Sequence, residues 1–276
     1  MDATFITEFL AGGEWLLSLY AFIGVLAVMG AGRVMVRLVP AFRQTAALNK
    51  EVADKQVQKS FYMPIQRRSM KWGLIIQTAV FVAIIPFVVT SEAQPWWHIP
   101  LDIFVILMFY DFFYYLTHRF VFHDGGFGPG PLMWVHAVHH QQKNPCRKDS
   151  NYLHPLETSI GIGLFGVSIA VLGALMGPFH IATVIITWVA FSEINQHNHD
   201  RMEVDRFPFK YLNYMSFMHH VHHSRFTSGN FATISLFYDW LFGTYDVGDG
   251  WGKNKREPQQ SKPQQKPAPA PQQQAA

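Results

Sequence analysis

The sequence has a single cysteine, Cys146. One cysteine excludes an intramolecular disulfide and any thiolate-based zinc or iron–sulfur centre within one chain. A large excess of one charge is also absent, because 22 basic residues against 19 acidic ones leave a net charge of +3. The basic residues form no single patch interleaved with stacking aromatics, so nucleic acid is not an expected partner. Any bound metal must therefore be held by nitrogen and oxygen atoms.

Histidine is absent from the first 97 residues and from the last 53, although the chain contains fourteen. Most of the fourteen fall in four short stretches, which read HRFVFH, WVHAVHH, QHNH and HHVHH. Neutral imidazole is a common ligand for iron, zinc and copper. Background composition does not produce such clusters, and they predict a histidine-rich metal site.

Long apolar runs indicate the fold class. Apolar residues make up 49% of the chain, and they are concentrated in segments long enough for a helix of about 20 residues to cross about 30 Å of hydrocarbon. We predict an all-α integral membrane protein with four to five membrane-embedded helices and a cytoplasmic helical cap that carries a histidine-rich dimetal site. The predicted spans are residues 15–36, 72–90, 99–118 and 156–176, with a shorter arm at 181–194.

The basic residues favour one orientation in the membrane. Residues 37–71 carry eight lysines and arginines and read as a partly helical cytoplasmic loop. If this loop is cytoplasmic, the order of crossings places the histidine stretches on the same side. All 22 lysines and arginines then lie on the cytoplasmic side or at its edge. Residues 1–14, 91–98 and 177–180 contain no basic residue and lie on the other side, and residues 1–14 lack the basic start of a signal peptide.

Three of the stretches, called histidine boxes one, two and three below, have spacings that suit convergence on metal. Residues at i, i+3 and i+4 share a helix face, so the three histidines of box two can converge, as can those of box three. The two histidines of box one are five apart, which requires a break after the helix, and DGGFGPGP follows there. One metal rarely takes more than three or four imidazoles, so nine or ten converging histidines imply two metal ions. The boxes contain His118 and His123; His136, His139 and His140; and His219, His222 and His223.

These boxes resemble those of the fatty acid hydroxylase/sterol desaturase superfamily of membrane di-iron oxygenases. The resemblance is carried by HX4H, HXXHH and HXXHH in this order, with DFFYYLTHR, NYLHPLE, QHNH and YDWLFGT around them, over roughly residues 111–244. It implies a di-iron centre that activates O2 and oxidises a C–H bond of a lipid. Together with the hydropathy and composition of the chain, it predicts three regions: N-terminal spans with a basic cytoplasmic loop at 1–98, a fatty acid hydroxylase-like catalytic domain at 99–250, and a disordered Pro/Gln-rich tail at 251–276.

Carried over residue by residue, the resemblance makes the eight box histidines the catalytic residues. His197 matches the smaller QHNH motif, and some relatives have a second histidine four residues later. This chain has Arg201 there, and His199 is the nearest candidate. His154 is a candidate for either a ligand or an outer contact. The expected metal ligands are His118, His123, His136, His139, His140, His197, His199, His219, His222 and His223.

Acidic residues near the boxes are expected to support the ligands, because a ligating imidazole usually donates its other N–H to an oxygen atom. Asp111 is the first candidate, since it lies seven residues before His118 on the same helical face and an acid at that depth is costly. Glu157, Glu193 and Asp239 are further candidates. The isolated His98 and His180 are predicted to be ordinary structural or surface residues.

A centre of this kind takes O2 and two electrons, so the resemblance implies an oxidoreductase that hydroxylates or desaturates a fatty acyl, sterol or related lipid drawn from the bilayer. The chain contains no cytochrome b5-like HPGG segment. The electron donor is therefore expected to be a separate protein, of ferredoxin or cytochrome b5 type with a reductase. The short chain and plain tail favour a bacterial inner membrane over the endoplasmic reticulum.

Two other classes of protein combine a membrane with many histidines. A metal transporter needs polar ligands at the middle of its spans, whereas the boxes lie almost entirely beyond the span ends. A zinc-dependent hydrolase or other zinc protein has fewer ligands per metal and no need for electrons. Metal analysis together with an O2-consumption assay separates both from an oxygenase.

Overall fold

The computed structural model describes residues 11–252, and this part of the chain is mostly helical. Residues 1–10 and 253–276, which include the first part of the predicted non-cytoplasmic end and nearly all of the predicted tail, lie outside the described residues. The helices are α1 (Trp15–Leu38), α2 (Pro40–Gln56), α3 (Tyr62–Ala83), α4 (His98–Thr117), α5 (Met133–His136), α6 (Pro155–Met176), α7 (Ile181–His197), α8 (Phe209–Ser224) and α9 (Phe237–Leu241). The strands are β1 (Val89–Thr90) and β2 (Phe179–His180).

Four segments of the described chain are long and apolar enough to cross a membrane, as the hydropathy pattern predicts. They are Trp15–Leu38, Tyr62–Phe87, His98–Phe122 and Pro155–Met176. The second segment begins ten residues earlier than predicted, because Tyr62 to Lys71 continue α3 in spite of their charges. Helix α7, with 17 residues, is the predicted shorter arm.

The core lies between the long helices, where α1, α3, α4, α6 and α7 pack together. Aromatic rings fill its centre: Phe165 stacks on Phe191 with ring centroids 4.1 Å apart, and Trp188 lies 4.6 Å from Phe81. Tyr110 of α4 meets both Phe165 and Phe191 edge to face. Such contacts fix the position of α4 against α6 and α7; α4 ends at box one, and α7 ends in the QHNH stretch.

A short connection closes the end of the bundle that lies away from the boxes. Gly177 ends α6 with a φ of +96°, a left-handed conformation that favours glycine. The chain then pairs β2 with β1 in parallel, and Phe179 N donates to Val88 O over 2.7 Å. His180 caps α7, because its Nδ1 accepts the Ala182 N–H over 3.2 Å. This histidine thus has a structural role.

The remaining elements form a cap at the opposite end, which contains residues 118–154 and 197–252. Helix α2 packs on this cap through Asn49, whose amide donates to Asp200 over 2.9 Å and whose oxygen accepts the Arg147 N–H over 2.8 Å. The cap extends to Trp251, which is buried against Phe231 and donates to Thr227 O over 3.1 Å. Trp251 opens the segment predicted to be a disordered tail, so the packed part of the chain reaches into that segment.

Candidate metal centre

Box one lies at the end of α4. The helix continues through a π-helical turn, His118–Phe122, and the chain becomes extended at His123. This wider turn places both histidines in the cap interior, where the exposed fractions of their side chains are 2% and 1%. The break expected from their spacing of five residues is therefore a π turn followed by an extended residue.

Nine of the ten expected ligands come together in two groups. Within each group the ligand atoms all lie within 4.8 Å of one another, and every residue is buried. The two groups are adjacent, because the rings of His140 and His223, one from each group, stack with centroids 4.8 Å apart. Group one contains His118, His123, His136, His140 and His222, and group two contains His139, His199, His219 and His223.

The structure divides boxes two and three between the two groups. His139 belongs to group two, although its neighbour His140 belongs to group one. Box two is not one continuous helix: α5 ends at His136, and a 3₁₀ turn begins at His139. In α8, His222 faces group one while His223 faces group two. The shared helical face inferred from the spacing therefore lies across both groups, and boxes two and three each contribute to both.

The ring nitrogens have a common arrangement of partners. In six of the nine histidines, Nδ1 lies within hydrogen-bond distance of a backbone carbonyl. These carbonyls come from several loops, so no side-chain type in the sequence marks them. The carbonyls are those of Phe231 for His118, Phe226 for His123, Tyr152 for His139, Asn195 for His199, Gly229 for His222 and Gln142 for His223, at 2.6–3.3 Å.

The opposite nitrogens face each other inside the groups. An Nδ1–H that donates to a carbonyl leaves the lone pair on Nε2, and Nε2 atoms face one another at short distances. They are 3.0 Å apart in the pairs His118 with His136, His140 with His222, and His139 with His199. They are 3.1 Å apart in the pairs His199 with His219 and His219 with His223.

Two observations show that these residues fit metal ions. Facing lone pairs repel unless a cation lies between them, and with metal–nitrogen bonds of about 2.1 Å two ligands at a right angle have nitrogens about 3.0 Å apart. In addition, His123 Nε2 is buried without a hydrogen-bond partner. A cation in each group accounts for both features, and an all-nitrogen donor set suits first-row metals such as iron and zinc.

Burial keeps these imidazoles neutral. It lowers the pKa of His139 to about 3 and that of His222 to about 4. In each case a backbone hydrogen bond raises the pKa, but by less than burial lowers it. Burial also lowers the pKa of His140 and His223 well below the usual value, and neighbouring histidines add to the effect. A ligand must be deprotonated to bind metal, so near neutral pH these side chains are in the binding form.

Glu157 is the acidic candidate that the structure places against a group histidine. Its Oε1 lies 2.7 Å from His136 Nδ1, and both side chains are buried. Glu157 comes from the first turn of α6. The contact orients the His136 ring so that Nε2 faces His118, which is the arrangement expected of an outer-sphere carboxylate.

Several other expected site residues lie outside the two groups. His197, an expected ligand, has both nitrogens in other contacts: Nδ1 is 3.0 Å from Asp200 Oδ2 and Nε2 is 2.9 Å from Leu212 O. The side chain leaves α7 on the face away from the groups, and His199 instead reaches group two from the turn that follows. His154 caps α6, since its Nδ1 accepts the Leu156 N–H over 3.2 Å, and it is not a member of either group.

Asp111 and Asp239 support the site through a loop, without a direct contact to a histidine. Asp111 accepts backbone N–H groups from Thr233, Ile234 and Ser235 at 2.9–3.0 Å. Asp239 accepts the N–H groups of residues 231 and 232 at 2.8 and 2.9 Å. Together they hold residues 231–235, the loop whose first carbonyl accepts from His118. Glu193, the remaining acidic candidate, pairs with Arg147.

A cavity of about 350 Å³ reaches both groups from the side of the membrane helices. Its walls include Met29, Leu74, Ile162 and Phe191 from four of the long helices. It touches the histidines of group one and of group two, and amide and hydroxyl side chains surround that end. The cavity therefore joins an apolar compartment to the face where the two groups meet, and its volume falls in the range of small-molecule sites. The histidines that line it are His118, His136, His139, His199 and His219.

The chain resembles several curated enzymes over about half of its length. It is 29% identical over 141 residues to methylsterol monooxygenase 1 of Rattus norvegicus, covering 49% of this chain and 43% of the relative. It is 30% identical over 159 residues to very-long-chain aldehyde decarbonylase GL1-11 of Oryza sativa, covering 53% and 56%. It is 28% identical over 158 residues to methylsterol monooxygenase erg25B of Aspergillus fumigatus, covering 54% and 49%.

The chain thus spans about half the length of the curated relatives it matches. No solved structure matches it significantly. The fatty acid hydroxylase family model matches residues 103–244, which is just over half of the chain and includes both histidine groups. The protein therefore belongs to the fatty acid hydroxylase family.

Proposed function

We propose that this protein is a membrane di-iron oxygenase that hydroxylates or desaturates a lipid. The observation that carries the proposal is the pair of adjacent histidine groups, with Nε2 atoms facing inward, at the end of an apolar cavity. Family membership and the names of the relatives, which are monooxygenases and a decarbonylase, support oxidation of a lipid in general. The preference for iron comes from the resemblance of the histidine boxes to those of membrane di-iron oxygenases, and metal analysis tests it against zinc.

Group one would hold one iron ion and group two a second. When bound, the two ions would supply the chemistry that oxidises a C–H bond with O2 and two electrons from a donor. The chain's own part is to bind and orient. The Nδ1 contacts to carbonyls and to Glu157 hold seven of the nine rings with Nε2 toward the ion. The apolar walls around Leu74 and Ile162 exclude water and align a hydrocarbon chain with the face where the groups meet.

Substrate and electrons arrive from different sides in this proposal. A lipid enters the cavity from the bilayer between the long helices. Electrons come from a separate donor of ferredoxin or cytochrome b5 type with its reductase. The placement of the basic residues favours a cytoplasmic position for the cap, and both this position and a bacterial inner membrane stay predictions from the sequence.

Metal analysis of histidine variants tests the proposal. We expect the wild-type protein, purified without oxygen, to contain about two irons per chain with a coupled Mössbauer spectrum. His139→Ala and His199→Ala remove ligands of group two and should lower the iron content and abolish the coupling. The matched control is His197→Ala, which should retain both irons because His197 lies outside the groups.

Product analysis completes the test. A lipid extract of cells that express the wild-type protein should contain a species heavier by one oxygen or lighter by two hydrogens, and His139→Ala cells should lack it. Zinc as the sole metal, no iron uptake on reconstitution and no O2 consumption with a reductant would contradict the proposal and favour a zinc enzyme.

A further inference from the structure

A second and larger cavity lies beside the one that reaches the histidines. Its volume is about 730 Å³, and it is enclosed by α1, α2, the turn Arg147–Asn151 and the last turns of α7. The two cavities share three lining residues, Met29, Asn151 and Gln196. They are therefore neighbours along one wall, and the proposed oxidation site needs only the first of them.

One side of the larger cavity is suited to hydrocarbon. Val28, Met35 and Val36 line it from α1, and their exposed fractions are 47%, 49% and 37%. These residues lie in a predicted span, so their exposed surface faces lipid in a membrane. The larger cavity is thus open to acyl chains from the bilayer side of α1. Met29 lines both cavities and lies where the larger one meets the cavity beneath the histidines.

The other side of the cavity is basic. Arg33, Lys50, Arg147 and Lys148 line it, together with the acids Glu193 and Asp200. Arg147 pairs with both acids, and because the four basic residues outnumber the two acids, the wall has a net positive charge. Among the described residues Arg33 and Lys148 form no ion pair.

Two more features strengthen this basic side. Lys50 pairs with Asp54, an exposed side chain in the next turn that does not line the cavity, and such surface pairs are weak. Arg33 lies among apolar residues of α1, more than one turn before its end, where an arginine is costly unless it reaches a polar partner. The wall therefore presents net positive charge beside an opening to lipid, at the level where α1 ends.

We propose that this second cavity binds the head group of an anionic lipid, with Arg33, Lys50 and Lys148 around the negative charge and the acyl chain passing Met29 toward the histidines. Two features support the assignment. The basic side chains lie near the membrane interface, where they attract a negatively charged head group, and the apolar side of the cavity leads toward the cavity beneath the histidines. The fate of the chain rests on the proposed function, whereas the binding of the head group does not.

Lipid binding by the purified protein, measured without O2 or a reductant, tests the site independently of oxidation. The full chain, in detergent or nanodiscs, is titrated with spin-labelled phosphatidylglycerol, spin-labelled stearate and spin-labelled phosphatidylcholine. We expect the anionic probes to bind more tightly than phosphatidylcholine, and the phosphate and carboxylate arms identify which anion is preferred. Arg33→Ala and Lys148→Ala should each weaken anionic binding by about fivefold.

Two control variants separate the site from general surface charge. Lys148→Arg keeps the charge and should bind as the wild type does. Lys143→Ala removes an exposed lysine from the same loop outside the cavity and should leave binding unchanged. Equal binding of phosphatidylcholine, or equal loss in Lys143→Ala and Lys148→Ala, would overturn the assignment.

A variant at the junction tests the path of the chain. Met29→Trp enlarges the side chain between the cavities, and we expect it to retain anionic head-group binding while lowering lipid oxidation at least tenfold. Retained binding also shows that the variant is folded. If the protein oxidises lipid but does not prefer anionic lipid, the head-group site is refuted and the proposed function stands. If it binds anionic lipid selectively but takes up neither iron nor O2, the head-group site stands and the proposed function is refuted.

Discussion

At the scale of single residues, Glu157 is the acidic residue that contacts a histidine of group one in the described chain, through His136. The two atoms are 2.7 Å apart and buried, and the second oxygen of Glu157 has no hydrogen-bond partner. Outer contacts of this kind orient a ligand and raise its basicity. Glu157 is therefore a positioning residue, and its effect should appear in metal affinity.

We expect Glu157→Ala to lower iron affinity by about 10- to 100-fold, because His136 loses the acceptor that holds its ring. Glu157→Gln keeps an oxygen acceptor, so its iron affinity should fall between that of the wild type and that of Glu157→Ala. The measurement is an anaerobic Fe(II) titration of metal-free protein. Glu193→Ala is the matched control, since that carboxylate pairs with Arg147 away from the groups, and an unchanged affinity in Glu157→Ala would refute the role.

At the scale of elements, the loop of residues 231–235 links α4 to the site. Asp111 binds three of its backbone N–H groups and the hydroxyl of Ser235, all at 2.9–3.0 Å. The same loop supplies the Phe231 carbonyl, 2.6 Å from His118 Nδ1. The acid that the sequence suggested as a contact of His118 thus acts one layer further out, by fixing the loop that fixes the ring.

Asp111→Ala should lower the free energy of unfolding by about 3–5 kcal/mol, because it leaves one buried and two part-buried N–H groups without an acceptor. Thermal unfolding of the metal-free protein in detergent measures the effect. Asp205→Ala, at an exposed position of the cap, is the control and should change little. A Tm equal to that of the wild type would show that the loop is held by other contacts.

At the scale of the whole molecule, the two groups connect segments that are far apart in the chain. The histidines of the two groups come from the end of α4, the α5 region, the turn after α7, and α8. A metal that binds the folded chain stabilises it in proportion to the logarithm of its concentration over Kd. We therefore expect the cap to depend on metal more strongly than the apolar bundle does.

Acid should act in the same direction as metal removal. In the metal-free fold His139 and His222 have pKa values of about 3 and 4, whereas in the unfolded chain they titrate at about 6.5. The unfolded chain therefore binds protons first as the pH falls, and the stability present above about pH 6.5 is lost below it. We expect the Tm of metal-free protein to fall between pH 7.5 and pH 5.5, and that of iron-loaded protein to be higher at pH 7.5. A Tm that rises on acidification would contradict this assignment.

The sequence by itself determined the membrane helices and which residue types form the site. Apolar runs of sufficient length specify spans whatever their neighbours are, as at Trp15–Leu38 and Pro155–Met176. Clusters such as HHVHH place imidazoles close together by local spacing alone. For the same reason, nine of the ten ligands expected from the sequence are the histidines that the structure brings together.

The tertiary structure alone decided how those residues are used. Whether His140 joins the group of His118 or that of His139 depends on the break after α5 and on how α8 packs, which are contacts between distant segments. The orientation of His197 away from the groups, and of Glu157 toward His136, depends on where α6 and α7 meet the cap. The carbonyls that hold the rings belong to the backbone, which every residue shares, so no side-chain pattern can reveal them.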